Sequence, residues 1–210
     1  IHSSYNTFYY RWHILNDKIE NSILKIVPGE TYYKIRSTDE QGLNRKDLFH
    51  IPFNKRGIIG NNRFSISGYP CLYLGRSIYT CWEELRRPAI SNTWVTAFKF
   101  QKGLEILDLR LCRKIDSLLE EESYYMLLPY ILASSIRTHE ENSVFKPEYI
   151  IPQLLLHSVI KKRQKYSGII FTSTRRFMIT SLEKAFIYDN LAIPVMSNKG
   201  SEYCKELASF

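Results

Sequence analysis

The stretch Gly60-Asn-Asn-Arg-Phe-Ser-Ile-Ser-Gly-Tyr-Pro-Cys-Leu-Tyr-Leu-Gly-Arg-Ser-Ile-Tyr-Thr-Cys-Trp-Glu-Glu-Leu-Arg-Arg87 reads as a loop, a strand and a helix in succession. Gly57, Gly60, Asn61, Asn62, Gly68 and Pro70 punctuate the loop. Cys71 to Leu74 is an apolar run of strand length, and Ser77 is an N-cap for a short helix that Pro88 stops.

Three residues of this stretch suit a nucleotide ligand. Arg63 stands where loop meets strand, a position from which a guanidinium can reach a phosphate with two parallel hydrogen bonds. Tyr73 lies between Leu72 and Leu74, so leucines turned to a core turn the tyrosine the other way, toward a cleft or solvent. Glu84 follows Cys81 and Trp82 in a largely apolar helix turn, where a carboxylate could oppose positive charge developing on a sugar ring. Spacing alone favours surface or ion-pair roles for Arg63 and Glu84 and a core role for Tyr73, since structural ion pairs are common.

The same residues carry a resemblance. Arg63-Phe64-Ser65, the strand Gly68-x-Pro70-x-Leu72-Tyr73-Leu74, Ser77, and Glu84 seven positions later resemble the signature of the RES domain family. Leu48-Phe-His-Ile-Pro-Phe53 and Gly168-Ile-Ile-Phe-Thr-Ser173 resemble two further family segments, and the likeness runs from about Tyr32 to Phe186. The arginine, glutamate and serine of the family name match Arg63, Glu84 and Ser173. The resemblance implies an ADP-ribosyltransferase-like fold and a toxin-type enzyme that splits the nicotinamide–ribose bond of NAD. Arg63, Tyr73 and Glu84 would be catalytic, and Arg36, Ser65, Gln153 and Ser173 substrate-binding. The acceptor would be water or inorganic phosphate, with NAD as substrate, no further cofactor and no metal. An antitoxin or companion domain would restrain the activity. Transfer of ADP-ribose to a macromolecule is the enzymatic alternative, and a non-catalytic basic binding module is the alternative of another class.

Composition is compatible with such a domain. The 210 residues are 44% hydrophobic and 24% charged, enough for one substantial core. A net charge of +8 favours an anionic partner. The basic residues are scattered rather than gathered in a stripe, which disfavours nucleic acid. Cys71, Cys81, Cys112 and Cys204 have neither zinc spacing nor a Cys-x-x-Cys pair, so reduced thiols in a cytoplasmic protein are expected. No apolar run approaches the roughly 20 residues that span a bilayer. Because position 1 is Ile, the chain is expected to be one domain of a longer protein.

Residues 1–30 are read as an N-terminal extension that either docks a partner or completes the fold, and 31–210 as a single globular unit. Within the extension, Phe8 to Ile14 is read as a strand or a helical start, and Ile19, Ile23 and Ile26 have helical spacing before Pro28-Gly29. Thr31 to Arg36 reads as a strand. Here Lys34 stands where the family has an arginine, and because lysine lacks the fork-shaped contact, Arg36 is the preferred phosphate ligand. His50 is read as structural and Lys55-Arg56 as a solvated rim. Thr93–Phe100 and Leu104–Leu109 read as strands of one hairpin, Ile115–Glu122 and Tyr124–Arg137 as two helices, and Lys146 to Gln164 as a third. Gly168–Ser173, Lys184–Tyr188 and Leu191–Met196 read as the last strands.

Strands and helices that alternate without a regular βαβ repeat argue for an α+β fold with a mixed or split sheet and flanking helices. No Gly-x-Gly-x-x-Gly or Walker loop is present, so a bound dinucleotide would be held by side chains.

Overall fold

The computed structural model of the chain describes residues 22–140, 142–161, 165–175, 185–195 and 202–204, together with Thr7, Tyr10, Arg11 and Leu207. These residues form seven strands: β1 (Ile23–Ile26), β2 (Thr31–Ser37), β3 (Cys71–Gly75), β4 (Thr93–Lys99), β5 (Leu104–Leu109), β6 (Gly168–Thr172) and β7 (Asp189–Pro194). The longer helices are α1 (Ile78–Glu84), α2 (Leu118–Ser135) and α3 (Ile150–Lys161). The strand order is β1-β5-β6-β7-β3-β2-β4, with β5 and β6 parallel and every other pair antiparallel. This is a mixed sheet with flanking helices, an α+β architecture.

The connections force the sheet to curl. β1 and β2 stand five places apart, yet only residues 27–30 join them. Five flat strand spacings span about 24 Å. Five extended residues reach roughly 18 Å at most. The two ends of the sheet therefore come round to meet, and Gly29 N donates to Phe100 O (2.8 Å) while Phe100 N donates to Glu30 O (3.1 Å). All seven strands contribute to the enclosed core, among them Ile26, Tyr32, Leu72, Phe98, Ile106, Ile170 and Leu191. The other face of β5, β6 and β7 packs Leu107, Ile169 and Ala192 against Leu127 and Ile131 of α2 and Leu155 and Val159 of α3. Gly168 permits the close approach of β6 to β7, since a Cβ there would lie 2.6 Å from Ala192 O.

Several expectations are corrected. Residues 23–26 are a strand paired with β5, not the end of a helix; three isoleucines at helical spacing also suit an edge strand with one buried residue. The sheet thus begins inside the segment read as an extension, while Ile19 and most of Phe8–Ile14 lie outside the described residues. β4 and β5 do not pair with each other. They are joined at the corner where the curled sheet meets itself, β4 pairing with β2 and β5 with β1 and β6. The two helices expected at Ile115–Glu122 and Tyr124–Arg137 are one, α2, continuous through Ser123 and starting after Ser117, whose Oγ accepts from Glu120 N (3.2 Å). The helix runs through Pro129 at the loss of one backbone bond. In α3, Pro152 falls in the first turn, where its missing N–H has no intrahelical use, after a 3₁₀ turn at Pro147–Tyr149. The described part of Lys184–Tyr188 is also a 3₁₀ turn, Phe186–Tyr188, rather than a strand.

Candidate active site

A cavity of ≈ 620 Å³ opens beside β3 and is bounded by the loop at Asn62-Arg63, the end of α1, residues 137–139, Tyr149 and the turn at Thr174-Arg175. Among its described lining residues, Lys34, Arg63, Arg137 and Arg175 are cationic and Glu84 is the one carboxylate. Such a surface suits an anion that brings a cationic or electron-poor centre to a single negative group.

Each principal side chain is placed by a local reason. Phe64 is fully buried and packs on Phe171 with ring centroids 4.4 Å apart, which pins the loop and leaves Arg63 at the cavity wall. Gln153, on α3, reinforces that loop: its amide donates to Asn61 Oδ1, to Asn62 O (3.0 Å) and to Ser65 O (3.1 Å). Arg63 Nη1 donates to Ser134 O (2.7 Å) in the last turn of α2, where a cation meets the negative end of the helix. Its guanidinium also stands 5.1 Å from the centre of the Tyr149 ring.

Tyr73 points opposite to Leu72 and Leu74, which belong to the enclosed core. Its ring lines the cavity, while its hydroxyl accepts from Phe64 N (3.2 Å). Burial holds the phenol well above its ordinary pKa, so it acts as a neutral group. Ser65 is buried within hydrogen-bonding reach of Tyr73 and lines a smaller chamber of ≈ 150 Å³ adjoining the cavity through Lys34, Asn62 and Tyr73.

Glu84 closes α1, whose start is tied to the turn before β7. Ser77 Oγ accepts from Thr80 N (3.1 Å), and Thr80 Oγ1 donates to Ile187 O (2.6 Å). The far end of the helix thereby reaches β6 and β7. Glu84 Oε1 accepts from Ser173 Oγ (2.6 Å) and from Asn190 Nδ2 (2.7 Å). Glu84 Oε2 lies 3.9 Å from Arg175 Nε, too far for a hydrogen bond.

The structure thus brings Arg63, Tyr73 and Glu84 to one cavity; Ser173, expected to bind substrate, is instead buried behind Glu84 and is not among the lining residues, and Gln153 lies behind the loop that carries Arg63. Arg36 stands elsewhere. It lies beyond the point where β2 pairs with β3, and its guanidinium donates to Asp47 O (2.9 Å) and meets Glu40 at 3.5 Å. Lys34 is the β2 cation that lines the cavity. Burial and neighbouring Arg36 push its pKa down to about 8, and its ammonium donates to Phe49 O. His50 is buried away from the cavity, its Nε2 accepting from Cys204 N (3.0 Å) and its Nδ1 facing Ile51 O (2.8 Å), a structural arrangement.

Sequence reading missed Asn190, Arg137 and Arg175 as parts of the site. The available signal for Asn190 was the pair of polar residues, Asp189 and Asn190, opening the otherwise apolar strand Leu191–Pro194. Nothing local marks Arg137, whose Nε donates to Thr174 O (2.7 Å) and so joins the end of α2 to the turn after β6.

Among the described residues, no three His, Cys, Asp or Glu side chains gather where they could hold a metal ion, and no helix is long and apolar enough to cross a membrane. Comparison with known proteins finds a match to the RES domain model over residues 33–182. A Bacillus subtilis (strain 168) protein named "Putative toxin YopC" is 38% identical over 195 residues, covering 84% of this chain and 43% of the relative. The chain therefore spans less than half the length of that relative. No solved structure matches it significantly.

Proposed function

The chain belongs to the RES domain family, and on that premise we propose that it is a toxin-like enzyme that cleaves the nicotinamide–ribose bond of NAD, by phosphorolysis or hydrolysis, on an ADP-ribosyltransferase-like scaffold. The observation that carries the proposal is one carboxylate, Glu84, held by Ser173 and Asn190 at a cavity whose other charged lining residues, among those described, are the cations Lys34, Arg63, Arg137 and Arg175.

NAD has the charge pattern that this cavity complements. Its pyrophosphate is anionic, and its nicotinamide ring carries a positive charge. When the bond from ribose C1′ to the ring nitrogen breaks, the electron pair goes to the ring, nicotinamide leaves neutral, and no general acid is required. What the reaction requires is a restrained ribose and a negative group near the oxocarbenium-like carbon. In this reading Glu84 Oε2 accepts from the ribose hydroxyls and opposes the developing charge. Arg63, Arg137, Arg175 and Lys34 hold the phosphates, and the Tyr73 ring supports the nicotinamide or ribose. An oxygen of water or inorganic phosphate then bonds to C1′ and its proton passes to solvent.

The Bacillus relative's name supports the toxin-like part of this reading; that the substrate is cytoplasmic NAD and that an antitoxin or companion domain restrains the activity are parts of the proposal itself. Product identification after incubation with labelled NAD tests the proposal. Free ADP-ribose denotes hydrolysis, and its 1-phosphate, formed at a rate that follows phosphate concentration, denotes phosphorolysis. Label bound to macromolecules would instead establish ADP-ribosyl transfer, and intact NAD would refute the proposal.

A further inference from the structure

We infer that Asn190 is a positioning residue that dictates which oxygen of Glu84 faces the substrate. The inference deepens the proposed NAD cleavage and rests on it.

A carboxylate oxygen has two in-plane lone-pair directions. For Glu84 Oε1 two donors are present, Ser173 Oγ at 2.6 Å and Asn190 Nδ2 at 2.7 Å. Those bonds fill Oε1. Among the described residues Oε2 faces the more distant Arg175 Nε at 3.9 Å, beyond hydrogen-bond range, so its lone pairs are left for a bound molecule. Ser173 alone would leave the carboxylate free to swing about one bond, whereas a second donor from a neighbouring strand fixes the plane of the group.

The two donors also come from rigid elements. Ser173 directly follows β6, its N–H donating to Tyr188 O (2.8 Å). Asn190 lies on β7 in register with Phe171 on one side and Gly75 on the other. It is 6% exposed, so its amide is shielded from most competing water. Its neighbours Asp189 and Leu191 turn to the opposite face of the sheet, as alternation along a strand requires. Asn190 touches the carboxylate rather than any reacting atom, and its effect on turnover passes through Glu84.

Two substitutions separate positioning from packing. Asn190→Asp keeps the volume but replaces a donor with a second carboxyl oxygen 2.7 Å from Glu84 Oε1. Asn190→Ala removes volume and donor together, leaving room for water to donate. Positioning predicts that Asp harms kcat at least as much as Ala, with a loss of roughly 100-fold for a carboxylate displaced by about 1 Å and little change in KM. Packing predicts the reverse order. In a Glu84→Gln background, Asn190→Ala should add less than threefold, because the residue through which it acts has already been altered. Wild-type kcat in the Asp variant, an Ala variant more damaged than the Asp variant, independent losses in the double variant, or failure of both single variants to fold would each overturn the inference. An inactive wild-type protein would instead refute NAD cleavage itself, so the two failures are distinguishable.

Discussion

Ser173 Oγ donates to Glu84 Oε1 at 2.6 Å, joining the end of β6 to the end of α1 across 89 positions of sequence. The same hydroxyl accepts from Arg175 N at 3.2 Å, so its proton is committed to the carboxylate while its lone pair orders the turn beyond the strand. This assigns the serine to holding Glu84, because its proton is engaged by the carboxylate and, among the described residues, no histidine or lysine is hydrogen-bonded to its Oγ. Ser173→Ala should lower kcat about tenfold or more, the worth of one hydrogen bond to a charged group, with a smaller change in KM. A kcat within twofold of wild type contradicts this role.

The Lys34 ammonium should set an alkaline limit on substrate capture. Burial, followed by the charge of Arg36, pushes its pKa down to about 8. Below that value the cavity presents this charge to an anionic substrate, and above it the charge is lost. kcat/KM for NAD should therefore fall as pH rises through about 8, and Lys34→Arg, which stays protonated, should abolish that fall up to about pH 10. The pH profiles of the two proteins decide the matter, and an unchanged alkaline limb in the arginine variant counts against it.

How much of this site can be read from the chain alone depends on whether the determining contacts are local. Ser77 caps α1, and Pro88 follows its end, because capping and proline stops act within one helical turn. The outward turn of Tyr73 follows from alternation between two core leucines, and the buried strand before Ser173 from an uninterrupted apolar run. The failures have the opposite character. Thr93–Phe100 and Leu104–Leu109 look like a hairpin because three residues with a glycine separate them. Their partners are decided by the curl of the whole sheet. Asn190 bonds to a residue 106 positions away, and no periodicity carries that information. Lys34 and Arg36 share one face of β2, and only the point at which β3 leaves that strand distinguishes them.

Behind the site, Asp189 lies in an ionic cluster with Arg110 and Asp108 at the end of the enclosed core. Burial, opposed by the Arg110 charge, pushes its pKa up to about 7, and its Oδ1 has no hydrogen-bond partner among the described residues. The folded protein thus retains a proton that the unfolded chain releases above about pH 4. The stability from this group is fully present below that pH and is lost as pH rises through about 7. Asp189→Asn cannot titrate. Its Tm should gain on wild type between pH 5 and pH 8 by several degrees, corresponding to ~1–3 kcal/mol. A constant difference between the two melting curves across that range would contradict the assignment.

Gly168 tests the close packing of the sheet. An added methyl would meet Ala192 O at 2.6 Å, a backbone atom that can move only with β7. Gly168→Ala should destabilise the fold by ~1–3 kcal/mol, read as a lower urea midpoint. An unaltered midpoint would show that β6 and β7 can separate without cost.

The central claim rests on Glu84, and nicotinamide release by purified protein measures it most directly. The wild-type chain should release nicotinamide from NAD, and Glu84→Gln should bind NAD with similar affinity but release nicotinamide roughly 100-fold more slowly, as expected when a group that opposes transition-state charge is neutralised. Release by Glu84→Gln at the wild-type rate, or no release by a folded wild-type protein, would contradict the account.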